Sequence, residues 1–413
     1  MMAELTLDRI AERLAPGRPM PASAVSGAAI DSRAVTSGNL FVAVRGSRVD
    51  GHDFVEAAAA AGAIAAIVER PTEASIPCLQ VRSSLEALTE VARMNRDAFS
   101  GTVIGITGSC GKTSVKNLCR SVFSAAAPTV ATEGNLNNEI GVPLTLCRLT
   151  GDTRFAVVDM GAAGREHIAH LCEFARPSIT TVLNAMEAHL DGFGTVADVA
   201  DIKAEIFDAL PAMGTAVLNL DQPWVELWKQ RIERTGARTI SYSQQDPADV
   251  SASGVEAAGY AGTRFDFHWQ GASFPVSLPL PGSHNVSNAL AAASLALGAG
   301  REPGVVVTGL EAASAEPGRL ELQTLPGGVV LIDDSYNANP GSVRAAIAYL
   351  ATQFAKPALI LGDMLELGAE TETAHREIGR LARESGVNRF LGVGDLLEPA
   401  VEEFGRGGVW YAD

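Results

Sequence analysis

The stretch from Thr102 to Thr113 constrains this chain more than any other. Thr102-Val-Ile-Gly-Ile106 reads as a buried strand. It runs into Gly105-Ile-Thr-Gly108-Ser-Cys-Gly111-Lys112-Thr113, at the head of a helical stretch. A strand passing through a glycine-rich turn into a helix is the context a phosphate-binding loop requires. Glycines let backbone N–H groups turn onto phosphate oxygens, and the helix N-terminus adds a favourable dipole. Lys112 would reach the β- and γ-phosphates of a bound nucleotide, and the Thr113 hydroxyl would sit on Mg²⁺, with Gly108, Ser109 and Gly111 forming the cradle. The strict pattern places glycine six residues before the lysine, where this chain has Ile106; the loop is a variant with glycines at 105, 108 and 111. The plain alternative is a glycine-rich turn that binds nothing. No GxGxxG run occurs, and Gly392-Val-Gly394 lacks the third glycine, which argues against a nicotinamide enzyme.

Around this loop the chain alternates apolar strands with helical stretches, the βαβ pattern of a parallel sheet. Phe155–Val158, Ile179–Leu183 and Ala216–Asn219 continue the series, and a more β-rich stretch at about 238–280 precedes a helix at Asn285–Leu297. Three strands ending at or beside an acid, Val329–Asp333, Ala358–Asp363 and Phe390–Asp395, suggest a second, smaller doubly wound sheet. At 413 residues the chain is too long for one ordinary domain. Three blocks are expected, 1–98, 99–312 and 313–413, in an α/β fold.

Composition narrows the function. With 47% hydrophobic and 19% charged residues the chain has material for buried cores. A net charge of −16 argues against nucleic acid as a partner, since phosphate backbones need basic surfaces. It does not exclude a small phosphorylated ligand. No apolar run is long enough to span a membrane. Residues 1–16 read as a short amphipathic helix carrying Leu5, Leu7, Ile10 and Leu14, not a signal peptide. The five cysteines (78, 110, 119, 147 and 172) are odd in number with no CxxC pair, which suits a reducing cytoplasm.

In parallel sheets the ligand crevice lies beyond the carboxyl ends of the strands. Asp159 ends its strand there, as a magnesium-binding acid should, although a strand-end aspartate also serves as a turn residue. Asn184 and His189 lie at and just beyond the next strand end; a histidine on this edge is a candidate ligand. Lys203, in Asp201-Ile-Lys203-Ala-Glu205-Ile-Phe207, reads by itself as a solvated lysine with its stem packed on Ile206 or Phe207.

These residues resemble the Mur ligase family, over nearly the whole chain. The resemblance is carried by Asp31-Ser32-Arg33, Gly38–Ala43, Arg45-Gly46 and Asp50-Gly-His52. In the centre it includes the phosphate loop, Glu133-Gly-Asn135-Leu-Asn137-Asn138 running on to Pro143, and Ala188-His189 running on to Gly194. Gly282-Ser-His284-Asn285-Val-Ser-Asn288, Pro317-Gly-Arg319, Asp333-Asp334-Ser-Tyr-Asn337-Ala-Asn339-Pro340 and Leu361–Met364 complete it. The asparagine-rich runs point to the member that adds a D-Ala-D-Ala dipeptide; the Asp-Asn-Pro-Arg pattern associated with diamino-acid addition is absent. The resemblance implies a UDP-sugar-binding N-terminal domain, a central ATP-binding domain with a parallel sheet and a smaller Rossmann-like C-terminal domain. It implies a cytoplasmic, monomeric ATP-dependent amide ligase with two Mg²⁺ sites, acting on UDP-MurNAc-tripeptide and D-Ala-D-Ala through an acyl phosphate.

By the same carry-over, Lys203 is carbamylated by CO₂ and joins Thr113, Asp159 and His189 as a metal ligand. Lys112, Lys203 and His189 form the catalytic group. His284, Asn285, Asn288, Arg319 and Asp334 line the nucleotide pocket. Ser32, Arg33, Arg45, Asn135, Asn138, Asn337 and Asn339 face the substrates. Two departures stand out. The family places glutamate where this chain has Asp159. Residues 313–413 read as an incomplete domain, because related ligases continue through a further helix, a strand and a Lys-Gly-Ser-Arg segment. The alternatives are a sibling ligase for another amino acid or a folate or polyglutamate substrate, and a non-catalytic nucleotide-binding relative.

Overall fold

The computed structural model describes residues 2, 5–186, 193–259 and 262–413. It divides into two compact units: Met1–Gly105 with Ala126–Gly161 and Ala169–Ile179, and Ile106–Ala125 with Ala162–Ile168 and Thr180–Asp413.

In the first unit β1 (Gly27–Ala29), β2 (Asn39–Val42), β3 (Ala65–Val68) and β4 (Cys78–Gln80) form a parallel sheet in that order. Every residue of β2 and β3 is buried, as expected of parallel strands covered on both faces. That is why their sequence shows runs of apolar residues and no alternation. The helix Ser84–Ala98 is capped by Ser83, whose hydroxyl accepts from the Glu86 N–H. Its buried Asn95 donates to the carbonyls of Leu146 and Leu149 (2.8 and 3.0 Å), closing the end of the helix Gly141–Leu146. This unit also contains the start of β5 (Thr102–Thr107), followed in sheet order by β7 (Phe155–Asp159) and β6 (Thr129–Ala131). β6 and β7 are parallel, and every residue of β7 is buried.

In the second unit the end of β5 is followed by β8 (Ile179–Val182), β9 (Thr215–Asn219), β10 (Arg238–Ser243), β11 (Val250–Ala257), β12 (Thr263–Trp269) and β13 (Ala272–Leu278). β9, β10 and β11 run parallel; β11, β12 and β13 form an antiparallel meander, the β-rich stretch the sequence indicated. β5 leads into the helix Lys112–Ser124. Beside it lies the alanine-rich helix Ser283–Gly298, buried along almost its whole length, as its all-round apolar composition requires. The helix Pro303–Glu311 crosses Lys112–Ser124 at backbone contact. A Cβ on Gly309 would stand 2.2 Å from the Cα of Val122, and the Ser121 hydroxyl donates to the Gly309 carbonyl (2.7 Å). Only glycine fits there.

The last hundred residues differ from the sequence reading in one respect. Val329–Asp333 was expected to join the later strands in one parallel sheet. Instead β15 (Val330–Asp333) pairs antiparallel with β14 (Glu321–Thr324), Glu321 opposite Asp333. The cause is the connection. Gly327 and Gly328 both have positive φ (87° and 79°), the backbone of a tight hairpin turn, so the strand folds back on its predecessor. The parallel sheet of this region is β16 (Ala358–Gly362), β17 (Arg389–Val393) and β18 (Gly408–Tyr411). Val343, Ile347, Met364, Ile378, Phe390 and Phe404 fill the core between these strands and their helices. Each such side chain contributes about 1.5–3 kcal/mol by leaving water. Among the described residues no helix is long and apolar enough to cross a membrane.

Candidate active site

The phosphate loop lies within the second unit, and its shape is set by a neighbouring strand end. Ser109 donates its N–H to the Asn184 carbonyl (3.1 Å), and Met186 donates its N–H to the Ser109 hydroxyl oxygen (3.0 Å). The Asn184 side chain then grips both backbone groups of Cys110. Its Oδ1 accepts from the Cys110 N–H (2.9 Å) and its Nδ2 donates to the Cys110 carbonyl (3.1 Å). With Ser109 and Cys110 tied down, the amides of Gly111, Lys112 and Thr113 open the following helix, where N–H groups have no intrahelical acceptor. That end of the helix favours an anion. Gly111 is left-handed (φ 81°), and a Cβ on it would press to 2.7 Å from Asn288 Oδ1. Lys112 Nζ lies over the loop, donating to the Gly108 carbonyl at 2.5 Å and to Ser109 at 3.4 Å.

Several residues expected to bind nucleotide surround this loop. Arg319 Nη2 donates to the Thr113 hydroxyl oxygen (3.2 Å), and its guanidinium lies 4.1 Å from the ring centre of Tyr336. Asp334 accepts from the Leu320 N–H (3.2 Å); burial pushes its carboxyl above the ordinary carboxylate value, against the pull of Leu320 and Arg319. Asn285, buried at the start of the alanine-rich helix, donates to the Pro281 carbonyl and accepts from Asn288 Nδ2 (2.7 and 3.0 Å). Burial lowers the His284 imidazole below its ordinary value, favouring its neutral form. Asn339 caps the helix Pro340–Gln353 through the Ser342 N–H (2.9 Å), and its amide also touches Cys110 Sγ at 3.2–3.3 Å. Asn337 is exposed.

Lys203 overturns its plain reading. It ends the helix Val196–Lys203 and is only 2% exposed, with Nζ 5.7 Å from the ring centre of Phe193. It is a buried lysine, not a solvated one. His189 lies outside the described residues.

Within the first unit Asp159, 1% exposed at the end of β7, accepts from Asn137 Nδ2 (3.3 Å) and donates its N–H to the Thr132 hydroxyl oxygen (3.1 Å). Asn137 also receives the Gly161 N–H on its carbonyl (2.8 Å), pinning the asparagine-rich run to the strand end. Its neighbour Asn138 accepts from the N–H groups of Ile140 and Gly141 (3.2 and 3.0 Å), a helix-starting role, while Asn135 is exposed. Arg33 forms a forked ion pair with Asp31, holding that carboxyl down to about 2. Ser32 is half-buried and Arg45 exposed. Among the described residues no three histidines, cysteines or acids stand together as a metal cluster.

Asn184, Asn137 and Tyr336 emerge from the geometry and were not among the assigned site residues. The signal was present in part: Asn184 ends a buried strand on the loop's own edge, and Asn137 and Tyr336 lie inside runs that had already drawn notice.

Three family models match: "Mur ligase family, catalytic domain" at residues 24–96, "Mur ligase middle domain" at 106–296 and "Mur ligase, glutamate ligase domain" at 318–406. The UDP-N-acetylmuramoyl-tripeptide–D-alanyl-D-alanine ligase of Escherichia coli K12 is 42% identical over 367 residues, spanning 88% of this chain and 80% of that protein. The ligase of the same name from Mycobacterium tuberculosis H37Rv is 37% identical over 95% of this chain and 84% of its own. A crystal structure of MurF from Acinetobacter baumannii superposes with a TM-score of 0.89 at 32% identity, over 99% of this chain and 90% of that one. The ADP complex of MurF ligase from Thermotoga maritima gives a TM-score of 0.78 at 28% identity, over 95% of this chain and 89% of that one. A phosphate loop built from Asn184, Lys112 and Thr113, and relatives alike over most of their length, lead to one conclusion: this chain belongs to the Mur ligase family.

Proposed function

We propose that this chain is an ATP-dependent ligase that forms the amide bond between UDP-MurNAc-tripeptide and D-Ala-D-Ala. The observation that carries this reading is the ordered phosphate loop. Asn184 holds Ser109 and Cys110, and Lys112 and Thr113 stand at the start of a helix with Arg319 beside them. The substrates follow from the names of the relatives.

In the proposed reaction a substrate carboxylate attacks the γ-phosphorus of ATP, and ADP leaves. Two anions must approach each other, so Lys112 and the amides of Gly111–Thr113 serve to offset their repulsion. The acyl phosphate formed has a good leaving group. The free amine of D-Ala-D-Ala attacks its carbonyl carbon, loses a proton and expels inorganic phosphate. Hydroxyl and carboxylate oxygens suit a hard divalent cation, and the buried Asp159 and the Thr113 hydroxyl are donors of that kind. Each is proposed as a Mg²⁺ ligand, as are His189 and a carbamylated Lys203. The burial of Lys203 supports the last assignment, since a carbamate on that nitrogen would replace a shielded cation by a metal-binding carboxylate. When bound, Mg²⁺ supplies charge neutralisation at the phosphates.

Phosphate release from ATP and Mg²⁺, measured with UDP-MurNAc-tripeptide, with D-Ala-D-Ala and with both, tests the proposal. Release requiring both substrates, with a new amide of the summed mass less water, is the expected result. Release indifferent to D-Ala-D-Ala, or an amide formed only with another amine, would refute the substrate assignment.

A further inference from the structure

We infer that Tyr336 is a positioning residue which, with a strained turn at Gly318–Leu320, aims Arg319 at the triphosphate end of the nucleotide; this rests on the reading of the loop as an ATP site. Arginine loses much rotamer freedom when its guanidinium is fixed, so a site that depends on one must restrain it. Three independent features do so here.

The backbone is the first. Gly318 and Leu320 flank Arg319, and both are left-handed (φ 68° and 50°). Glycine adopts that conformation freely, whereas leucine is strained in it, and such strain persists only where surrounding contacts enforce it. The second feature is the set of contacts that enforce it. The Leu320 N–H donates to Asp334 Oδ1 (3.2 Å), and the Tyr336 N–H donates to the Gly318 carbonyl (3.2 Å), strapping the turn to the segment after β15.

The third feature is the ring. Tyr336 is 46% exposed, so core burial does not explain where it sits. Its face is covered by the Arg319 guanidinium at 4.1 Å from the ring centre, within cation–π range. From that platform Arg319 Nη2 reaches the Thr113 hydroxyl at 3.2 Å, while Nε is buried and has no hydrogen-bond acceptor among the described residues. A guanidinium fixed in this way, with its outer edge beside a helix N-terminus and Lys112, matches the oxygens of a nucleoside triphosphate.

ATP binding and steady-state kinetics on the full chain test this in Tyr336→Ala, Tyr336→Leu, Tyr336→Phe and Arg319→Ala, and in Arg319→Ala combined with Tyr336→Leu. Tyr336→Leu keeps bulk without a π face and guards against a folding defect in the alanine variant. Loss of the ring should raise the KM for ATP about 2- to 30-fold, with kcat within about twofold, because an ordered Arg319 serves ground and transition states alike. Tyr336→Phe, which retains the ring face, should restore the wild-type KM. On the Arg319→Ala background Tyr336→Leu should add nothing, since the group it positions is gone. An unchanged KM in Tyr336→Leu, or equal losses with and without Arg319, would overturn the inference. A wild-type chain that binds no ATP would instead refute the nucleotide reading beneath it.

Discussion

Replacing Asn184 by alanine removes two hydrogen bonds at once, both to the backbone of Cys110, at 2.9 and 3.1 Å. A hydrogen bond of this kind contributes about 0.5–1.5 kcal/mol net, so the pair is worth about 1–3 kcal/mol to the ordered loop. Without it Ser109 and Cys110 sample other arrangements, and ATP must select the competent one. The cost then falls on nucleotide affinity, a loss of roughly 5- to 150-fold at 1.4 kcal/mol per tenfold. Global stability should change little, because the loop is half-exposed and water can replace the lost partners. The assay is displacement of a fluorescent nucleotide, alongside a thermal melt of the same preparation. Asn184→Asp is the sharper variant. It keeps an acceptor for the Cys110 N–H, turns a carboxylate oxygen toward the Cys110 carbonyl, and places negative charge beside a phosphate site. Aspartate should therefore be worse than alanine for ATP. Wild-type affinity in Asn184→Ala, or tighter binding in Asn184→Asp than in Asn184→Ala, would refute the reasoning.

Lys112→Ala should abolish turnover in the phosphate-release assay while leaving the melting temperature near wild type, because among the described residues Lys112 Nζ donates to carbonyls of its own loop, Gly108 and Ser109. Lys203→Ala should lose most activity, and short carboxylates should restore part of it; an unchanged rate would remove Lys203 from the mechanism. Asp31 titrates at about 2, below its ordinary 3.8, because Arg33 holds the charged form. Its ion pair thus favours the folded state above about pH 4, and the contribution is lost as pH falls through about 2. In Arg33→Ala an NMR titration should find the Asp31 carboxyl nearer its ordinary value. Half-exposed Cys110 should react with a thiol reagent and be protected by ATP, whereas Cys119 and Cys147, whose thiols burial pushes up, should stay unlabelled in the native protein; mass mapping of the adducts decides both.

The phosphate loop was legible because its chemistry is local. Strand, glycines, lysine and threonine are contiguous, and the helix begins at Lys112, where the spacing required. The longer central strands, β7, β8 and β9, were legible for the same reason, as apolar runs between turns, whereas the three-residue strands β1, β4 and β6 are too short to show a pattern. Pairing partners were not legible, because they depend on turns. The Gly327-Gly328 pair marks the hairpin that took β15 out of the parallel sheet, yet the acid at its end suggested otherwise. Burial of a charged residue is harder still. Nothing in the helix pattern around Lys203 distinguishes a residue 2% exposed from a solvated one. Among the asparagines the sequence could indicate a run but not a division of labour. Asn137 holds Asp159 and Asn138 starts a helix because of which way each faces, a property of the folded turn.

The glycine crossing at Gly309 bears on how this protein comes apart. Lys112–Ser124 is pressed backbone-to-backbone against Pro303–Glu311 and lies beside the alanine-rich helix, so its amides after the first turn cannot open alone. In hydrogen exchange they should belong to the slowest class and report complete unfolding, while the half-exposed β14–β15 hairpin exchanges through partial opening. The helix that meets the nucleotide would then be among the last to lose structure, and its amides a clock for the whole second unit.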